Sequence, residues 1–509
     1  KQVTMEEVAR SLAQLSLSSD PKKELRHLKT ALLGLGSPRN TVLPRDIDLG
    51  ALFDAFNTSD NEQIELAVQV MSQLLPCVSP LEALERFRAE LLRGFLHPAE
   101  NVRRLVLKQA LQCVESEAGV TCLASDSEML HLVLKSVGDK CLGVVKLASS
   151  VVVKMCHQPA GLTAIFSPAG LAVIQEMVAQ TDTTRFNVYE LVVEVGLLGP
   201  TALSAAVTTG LLDRLLSEVT MGDGLTQLTA LQVLTPLAMS PGGRRLLDEK
   251  GVTARLMYLL SLAKSDPIAR LLTHGLLEFL GNIGQARPQQ TLEEHGAVAL
   301  MVLQLASGHL ELDGDPSLQA SALQAVARIG TSAEGKLALS KCKHEMDQVL
   351  ETLGTEAVRG PTNLKVLSIE VLTQLFHLEP QELREEVVVV LELWWASTLN
   401  FSEVFKLARL PFPDLHMAAL RLLISLARLP WGQRFICGEP GLLEYILNRT
   451  TETDKEGMEG KWTLVEAIVK SSSAPSIFSE DHMAMLEKYF RQGPFYSEAQ
   501  LEVALEGQE

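Results

Sequence analysis

Cys342, Lys343 and His344 stand side by side, and a thiol next to an imidazole is a fragment of the ligand set that holds zinc. A zinc centre needs three or four such groups at fixed spacing. No second Cys or His lies at ligand spacing from this pair, so a surface coincidence is the simpler reading. Cys113 and Cys122, nine positions apart and without companions, read as core thiols. Gly34-Leu35-Gly36 opens like a nucleotide fingerprint but lacks the third glycine and the preceding strand, and no G-x-x-x-x-G-K-[ST] loop occurs to cradle phosphates. Asp313-Gly314-Asp315 is too short for a calcium loop, which needs regularly spaced oxygens and a closing glutamate, so a turn between helices is expected there. The eleven histidines form no HExxH pair, and no Gly-x-Ser-x-Gly elbow is present. An enzyme should show reactive groups clustered at mechanistic spacing. The expectation is therefore a chain that is no enzyme, with no catalytic residue, no metal and no cofactor.

What recurs instead is a scaffold. A glycine opens an amphipathic helical phrase at Gly170, Gly210, Gly251 and Gly296, at intervals of 40, 41 and 45 residues. A longer helical phrase repeats in step with it through Leu191, Leu231, Leu277, Leu323, Ile369 and Leu420, at intervals of 40, 46, 46, 46 and 51. Helical repeats of that period predict an all-α fold, an α-solenoid of armadillo/HEAT-like repeats. Such units cannot bury their apolar faces alone. They stack on their neighbours and leave a long surface free for a partner. The expected organisation is one continuous solenoid: HEAT-like repeats over residues 1–158, armadillo-like repeats over 159–400, and C-terminal repeats with a tail over 401–509. Within it, 60–75 and 98–115 read as helices, and the last residues, LEVALEGQE, as a frayed end. The run VVVVLELWW from Val387 carries four β-branched residues that locally favour a strand, but Glu385, Glu386 and Glu392 flank it at helical spacing, so a helix is expected.

Composition narrows the partners. The 509 residues are 47% apolar and only 5% aromatic, enough for a continuous helical core built from Leu, Val and Ala. The formal net charge of -17, without any run of Lys and Arg, argues against nucleic acid and against an anionic membrane surface, and favours a partner with a basic patch. No apolar stretch reaches the roughly 18 residues of a membrane span, and KQVTMEEVARSLAQ lacks the apolar core of a signal peptide. Seven scattered cysteines fit reduced, buried thiols. A cytoplasmic monomer is expected, with the nucleus as a second compartment.

Superposing the six long phrases on their repeated apolar position gives a next column of Val192, Gln232, Glu278, Gln324, Glu370 and Arg421. One turn later stand Gly196, Pro236, Asn282, Arg328, Gln374 and Ser425. Residues four apart share a helix face, so from the third helix onward these columns make a polar ladder. Gln232, Glu278, Asn282, Gln324, Arg328, Glu370, Gln374 and Arg421 are the candidate partner-binding residues. The architecture is similar to that of nuclear-import adaptors, which line the equivalent helices with Trp and Asn one turn apart to clamp extended basic peptides. Only Asn282 fits that pattern here, and Trp394, Trp395, Trp431 and Trp462 all lie off the ladder, which favours a folded partner for this face.

Several blocks carry a closer resemblance: RFNVYELVVEV from Arg185, GRRLLDEKGV from Gly243, GNIGQARPQQ from Gly281, EGKLAL from Glu334, PFPDLHMAALRLLISLARLPWGQ from Pro411, PGLLEYILNRTTETDKE from Pro440 and QGPFY from Gln492. They resemble the 26S proteasome non-ATPase regulatory subunit 5 family, nearly end to end. That resemblance implies a non-catalytic chaperone. It would hold the C-terminal region of a proteasomal AAA-type ATPase subunit, with other base subunits in the assembly intermediate, and would be absent from the mature proteasome. A general armadillo scaffold for trafficking or signalling is the alternative.

Overall fold

The computed structural model describes residues 5–15, 18, 20–34, 49–312 and 315–496. The Gly34-Leu35-Gly36 loop beyond Gly34, the turn at Asp313-Gly314 and the acidic end LEVALEGQE lie outside the described residues. Among the described residues every regular element is a helix, and there is no strand. The chain is an α-solenoid of armadillo/HEAT-like repeats, divided into two compact units, Lys1–Leu246 and Leu247–Glu509.

In the N-terminal unit two long helices carry the repeated phrase, α1 (Asp182–Leu197) and α2 (Gly224–Leu234), and they pack side by side. In the C-terminal unit the series is α3 (Pro267–Ala286), α4 (Pro316–Ile329), α5 (Thr362–Phe376), α6 (Pro413–Ala427) and α7 (Lys455–Val469), each packed on the next. Local chemistry starts these helices. Asp223, Asp266, Asp315 and Asp454 accept hydrogen bonds from the first free backbone amides of α2, α3, α4 and α7. Proline opens α3, α4 and α6, where its missing N–H costs nothing. The repeated apolar position is buried throughout: Leu191, Leu231, Leu277, Leu323, Ile369 and Leu420 are at most 2% exposed.

The opening glycines divide by conformation. Gly210 and Gly251 sit just before their helices with φ of 73° and 68°, the left-handed region where a side chain is strained, so the chain can reverse there into the next helix. Gly170 is instead the third residue of the helix Pro168–Val178, and Gly296 begins its helix without positive φ. A second glycine series does different work. Gly119, Gly161, Gly243, Gly335 and Gly432 each follow by six residues a backbone carbonyl that a Cβ would meet at 1.8–2.2 Å, those of Cys113, Met155, Leu237, Ile329 and Leu426. The missing side chain lets a short helix turn tightly back on the end of the previous one. In three cases the next residue then caps that end. Arg244 donates to the carbonyls of Ala238 and Met239, Gln433 to that of Ala427, and Lys336 to those of Gly330 and Thr331 at 2.6 and 2.9 Å. Burial pushes the Lys336 ammonium down to about 8, against the pull of Glu382. Gly335→Ala should therefore destabilise by about 1–3 kcal/mol in urea unfolding, because the methyl group collides with backbone and outweighs the better helix propensity of alanine.

The valine-rich run is helical, Glu385–Ala396. Val387, Leu391, Trp394 and Trp395 are buried on one face, while Val389 and Leu393 are exposed on the other. Trp395 packs between Phe376 of α5 and Trp431, at ring distances of 5.3 and 5.9 Å. All seven cysteines are free thiols. Cys77, Cys113 and Cys156 are buried as expected, but Cys122, Cys141, Cys342 and Cys437 are half-exposed; Cys141 and Cys342 lie just before helices rather than on a packed face. Among the described residues no single helix is long and apolar enough to cross a membrane. Three bent helix pairs pass that test by length and composition only.

Candidate partner-binding face

The ladder residues take their places from the buried position beside them. On α3, α4, α5 and α6, Leu277, Leu323, Ile369 and Leu420 point into the stack, and the following residues, Glu278, Gln324, Glu370 and Arg421, are all exposed. Four aligned helices thus present four polar groups in the same helical position. One turn later the row changes character. Gln374 is exposed, Arg328 is half-buried, Asn282 is buried and Ser425 is only 2% exposed. Gln232 is exposed on α2, in the N-terminal unit. Val192 and Gly196, which hold the two column positions on α1, are buried and apolar, so α1 adds nothing polar to either column.

Three of the candidates meet. Arg328 Nη1 donates to Asn282 Oδ1 at 2.7 Å and lies 3.4 Å from Glu278 Oε1, so one guanidinium on α4 bridges two residues of α3. The carboxamide oxygen of Asn282 is thereby occupied, and the residue that alone matched the import-adaptor pattern is tied into the protein itself. Its burial follows from the helix α3 around it, where Gly281 lets Ala325 and Arg328 of α4 approach closely. The bridge holds a mostly exposed ion pair, worth on the order of 0–1 kcal/mol in stability. Its main effect is to fix the seam between the two helices.

His274, one turn before Glu278, extends the same seam: its Nδ1 lies 2.9 Å from Ser321 Oγ and its Nε2 3.2 Å from Ser317 Oγ. Asp315 approaches the same Nε2 at 3.6 Å. The imidazole is thus held at both nitrogens by groups of α4 and its cap, and it ties α3 to α4 through a polar seam. Sequence reading missed it. The signal was present in the four-residue steps His274, Glu278, Asn282, which place all three on one face. Among the described residues no group of three His, Cys, Asp or Glu is placed to hold a metal ion. Cys342 is half-exposed, and the His344 ring contacts Gln348, at 3.3 Å. The exposed row Glu278, Gln324, Glu370 and Arg421 sets two carboxylates, one carboxamide and one guanidinium in register.

Comparison with known proteins agrees in extent. The family model described as Proteasome non-ATPase 26S subunit matches residues 5–509. The 26S proteasome non-ATPase regulatory subunit 5 of Bos taurus is 30% identical over 501 residues, covering 98% of each chain. Its Drosophila melanogaster counterpart is 23% identical over 508 residues, covering 97% of each. Among solved structures yeast importin-beta aligns with a TM-score of 0.57 at 12% identity, over 96% of this chain and 62% of that one, a likeness of fold alone.

Proposed function

Because the chain belongs to the proteasome non-ATPase 26S subunit family, we propose that it is a non-catalytic chaperone of the proteasome. In this reading it binds the C-terminal region of an AAA-type ATPase subunit, together with other base subunits, while the base of the regulatory particle is assembled, and it leaves before the proteasome is complete. The end-to-end match to regulatory subunit 5 is the observation that carries it. The acidic chain suits a partner with a basic patch, and the exposed row Glu278, Gln324, Glu370 and Arg421 suits a folded domain laid across several helices. A cytoplasmic and nuclear protein, monomeric when free, is consistent with that role.

The proposal is tested by affinity capture with mass spectrometry, comparing the natural chain with a Glu278→Lys, Glu370→Lys variant. The natural chain should bring down a base ATPase without the core particle. The variant should recover about tenfold less ATPase, while its unfolding free energy falls by no more than about 1 kcal/mol, since the Arg328 ion pair lost with Glu278 is mostly exposed. Recovery of no proteasomal ATPase by the natural chain would refute the function, whereas equal recovery by both would move the binding face elsewhere.

A further inference from the structure

The N-terminal unit carries an open furrow that the row on the C-terminal unit does not include. It runs between α1 and α2, has a volume of about 590 Å³ and is mainly apolar. Phe186, Val193 and Leu197 come from α1, Leu225 and Val233 from α2, and Pro236 closes one end. Leu225 is 73% exposed and Leu197 37%. Where Arg328 bridges α3 to α4, the residues lining this furrow include no Lys or Arg. The position equivalent to Arg328 is held by Pro236, just beyond the end of α2, with Gln232 one turn earlier.

The two walls differ in charge. Every ionisable group of the furrow lies on α1, namely Asp182, Glu190 and Glu194, and α2 offers only threonine, glutamine and apolar side chains. Asp182 is neutralised by Arg185 at 2.9 Å, and Arg185 is shared with Glu218. Glu190 and Glu194 have no cation within ion-pair distance among the described residues. They stand one helical turn apart on the same face, an arrangement that repels. Burial, and then the charge of Glu190, hold the Glu194 carboxyl above its ordinary value. Two uncompensated carboxylates facing an exposed leucine wall are complementary to a ligand that is basic on one side and apolar on the other.

We propose that this furrow is a docking site for an extended segment of a partner protein with the pattern basic–apolar–basic. The spacing sets the pattern. Glu190 and Glu194 are separated by about 6 Å along the helix axis. Alternate residues of an extended chain are about 6.6 Å apart and point to the same side. Two Lys or Arg side chains at positions one and three therefore meet the two carboxylates, and the residue between them turns to the α2 wall, between Leu225 at one end and Val233 about 12 Å along. From Phe186 to Leu197 the wall is about 16 Å long, which accommodates about five residues. This site differs in kind from the C-terminal face, where a folded partner is expected, and it stands whether or not that partner is an ATPase.

Fluorescence anisotropy with the full chain and a labelled peptide Gly-Ser-Lys-Leu-Lys-Ser-Gly tests it. Saturable binding is expected, falling with added salt. Replacing the central leucine of the peptide by serine should weaken it about tenfold, and so should the protein variant Glu190→Gln, Glu194→Gln, with its helical circular dichroism unchanged. The variant Glu249→Gln, Glu351→Gln, at exposed carboxylates outside both the furrow and the row on the C-terminal unit, should bind as the natural chain does, which separates the furrow from general acidity. Binding that is absent up to millimolar peptide, or undiminished by the furrow substitutions, or matched by Gly-Ser-Glu-Leu-Glu-Ser-Gly, would overturn the proposal.

Discussion

Glu452→Gln should destabilise the C-terminal unit by about 3–5 kcal/mol, the largest single effect expected in this chain, because it leaves a buried ammonium without its counter-charge. Lys461 of α7 is 0% exposed in its side chain and Glu452 4%, with Nζ and Oε1 3.2 Å apart. The ammonium also donates to the carbonyls of Tyr445 at 2.7 Å and Asn448 at 3.1 Å and to the Thr451 hydroxyl, so it caps the helix Leu442–Leu447. On the other side Glu452 accepts from His416 Nε2 at 2.8 Å and from the Tyr445 hydroxyl at 3.2 Å. Burial alone would raise the Glu452 carboxyl, but the His416 hydrogen bond and the Lys461 charge prevail and hold it at about 2. Burial pushes Lys461 below the ordinary lysine range even with Glu452 pulling the other way. The pair is thus not a large net gain over apolar packing, and the loss comes from breaking it. Glu452→Gln combined with Lys461→Met should cost clearly less than the two single losses added together. All four tryptophans lie between 394 and 462, so urea unfolding followed by their fluorescence reports on this unit.

The same cluster predicts a pH profile. A carboxyl with a folded pKa of about 2 and an ordinary value of 4.5 binds fewer protons folded than unfolded between those limits. Its contribution, on the order of 3 kcal/mol, is complete above about pH 4.5 and is lost as the pH falls toward 2. His416 is raised above its ordinary 6.5, first by the hydrogen bond to Glu452, so its contribution is complete below 6.5 and disappears as the pH rises through the folded value. Stability of this unit should peak between those two limbs, and Glu452→Gln should flatten both.

Leu277→Ala is the second large effect, about 2–5 kcal/mol. Leu277 is 0% exposed on α3, which packs on α4 over much of its length, so the truncation leaves a cavity that the helix pair cannot close without moving the Arg328 bridge. The residue next to it, Glu278, is on the surface, and Glu278→Ala should change stability by less than about 1 kcal/mol. A cost for Leu277→Ala at least about twice that of Glu278→Ala is what the helix register demands. Equal unfolding midpoints for Leu277→Ala and the natural chain would mean that α3 is turned differently.

That register was legible in the sequence, since the period of the long phrase alone separates Leu277, Leu323, Ile369 and Leu420 from Glu278, Gln324, Glu370 and Arg421. The helical reading of VVVVLELWW also followed from charge spacing. What escaped was whatever depends on the distance between chain segments. The second glycine series, Gly119 to Gly432, needs a carbonyl six residues earlier to come within contact, and no periodicity reports that approach. A pattern was available even so, because a serine three residues before Gly119, Gly243 and Gly335 caps each of those amides. The Arg328–Asn282 bridge escaped for a related reason: both residues stood in the same row of the ladder, but only the packing of α3 on α4 brings them to 2.7 Å and removes Asn282 from the surface. The furrow between α1 and α2 was invisible because its walls are ordinary amphipathic helices. It exists through the space between them.

We propose that the ATPase subunit docks on the row of α3 to α6, and the central test of the function falls there. A photo-crosslinking amino acid placed at Glu370, in the middle of that row, tests it in cells assembling proteasomes. The expected product joins this chain to the C-terminal region of a base ATPase and disappears from completed 26S particles. Crosslinks that form only with proteins outside the proteasome, or an ATPase crosslink that persists in the finished particle, would contradict it.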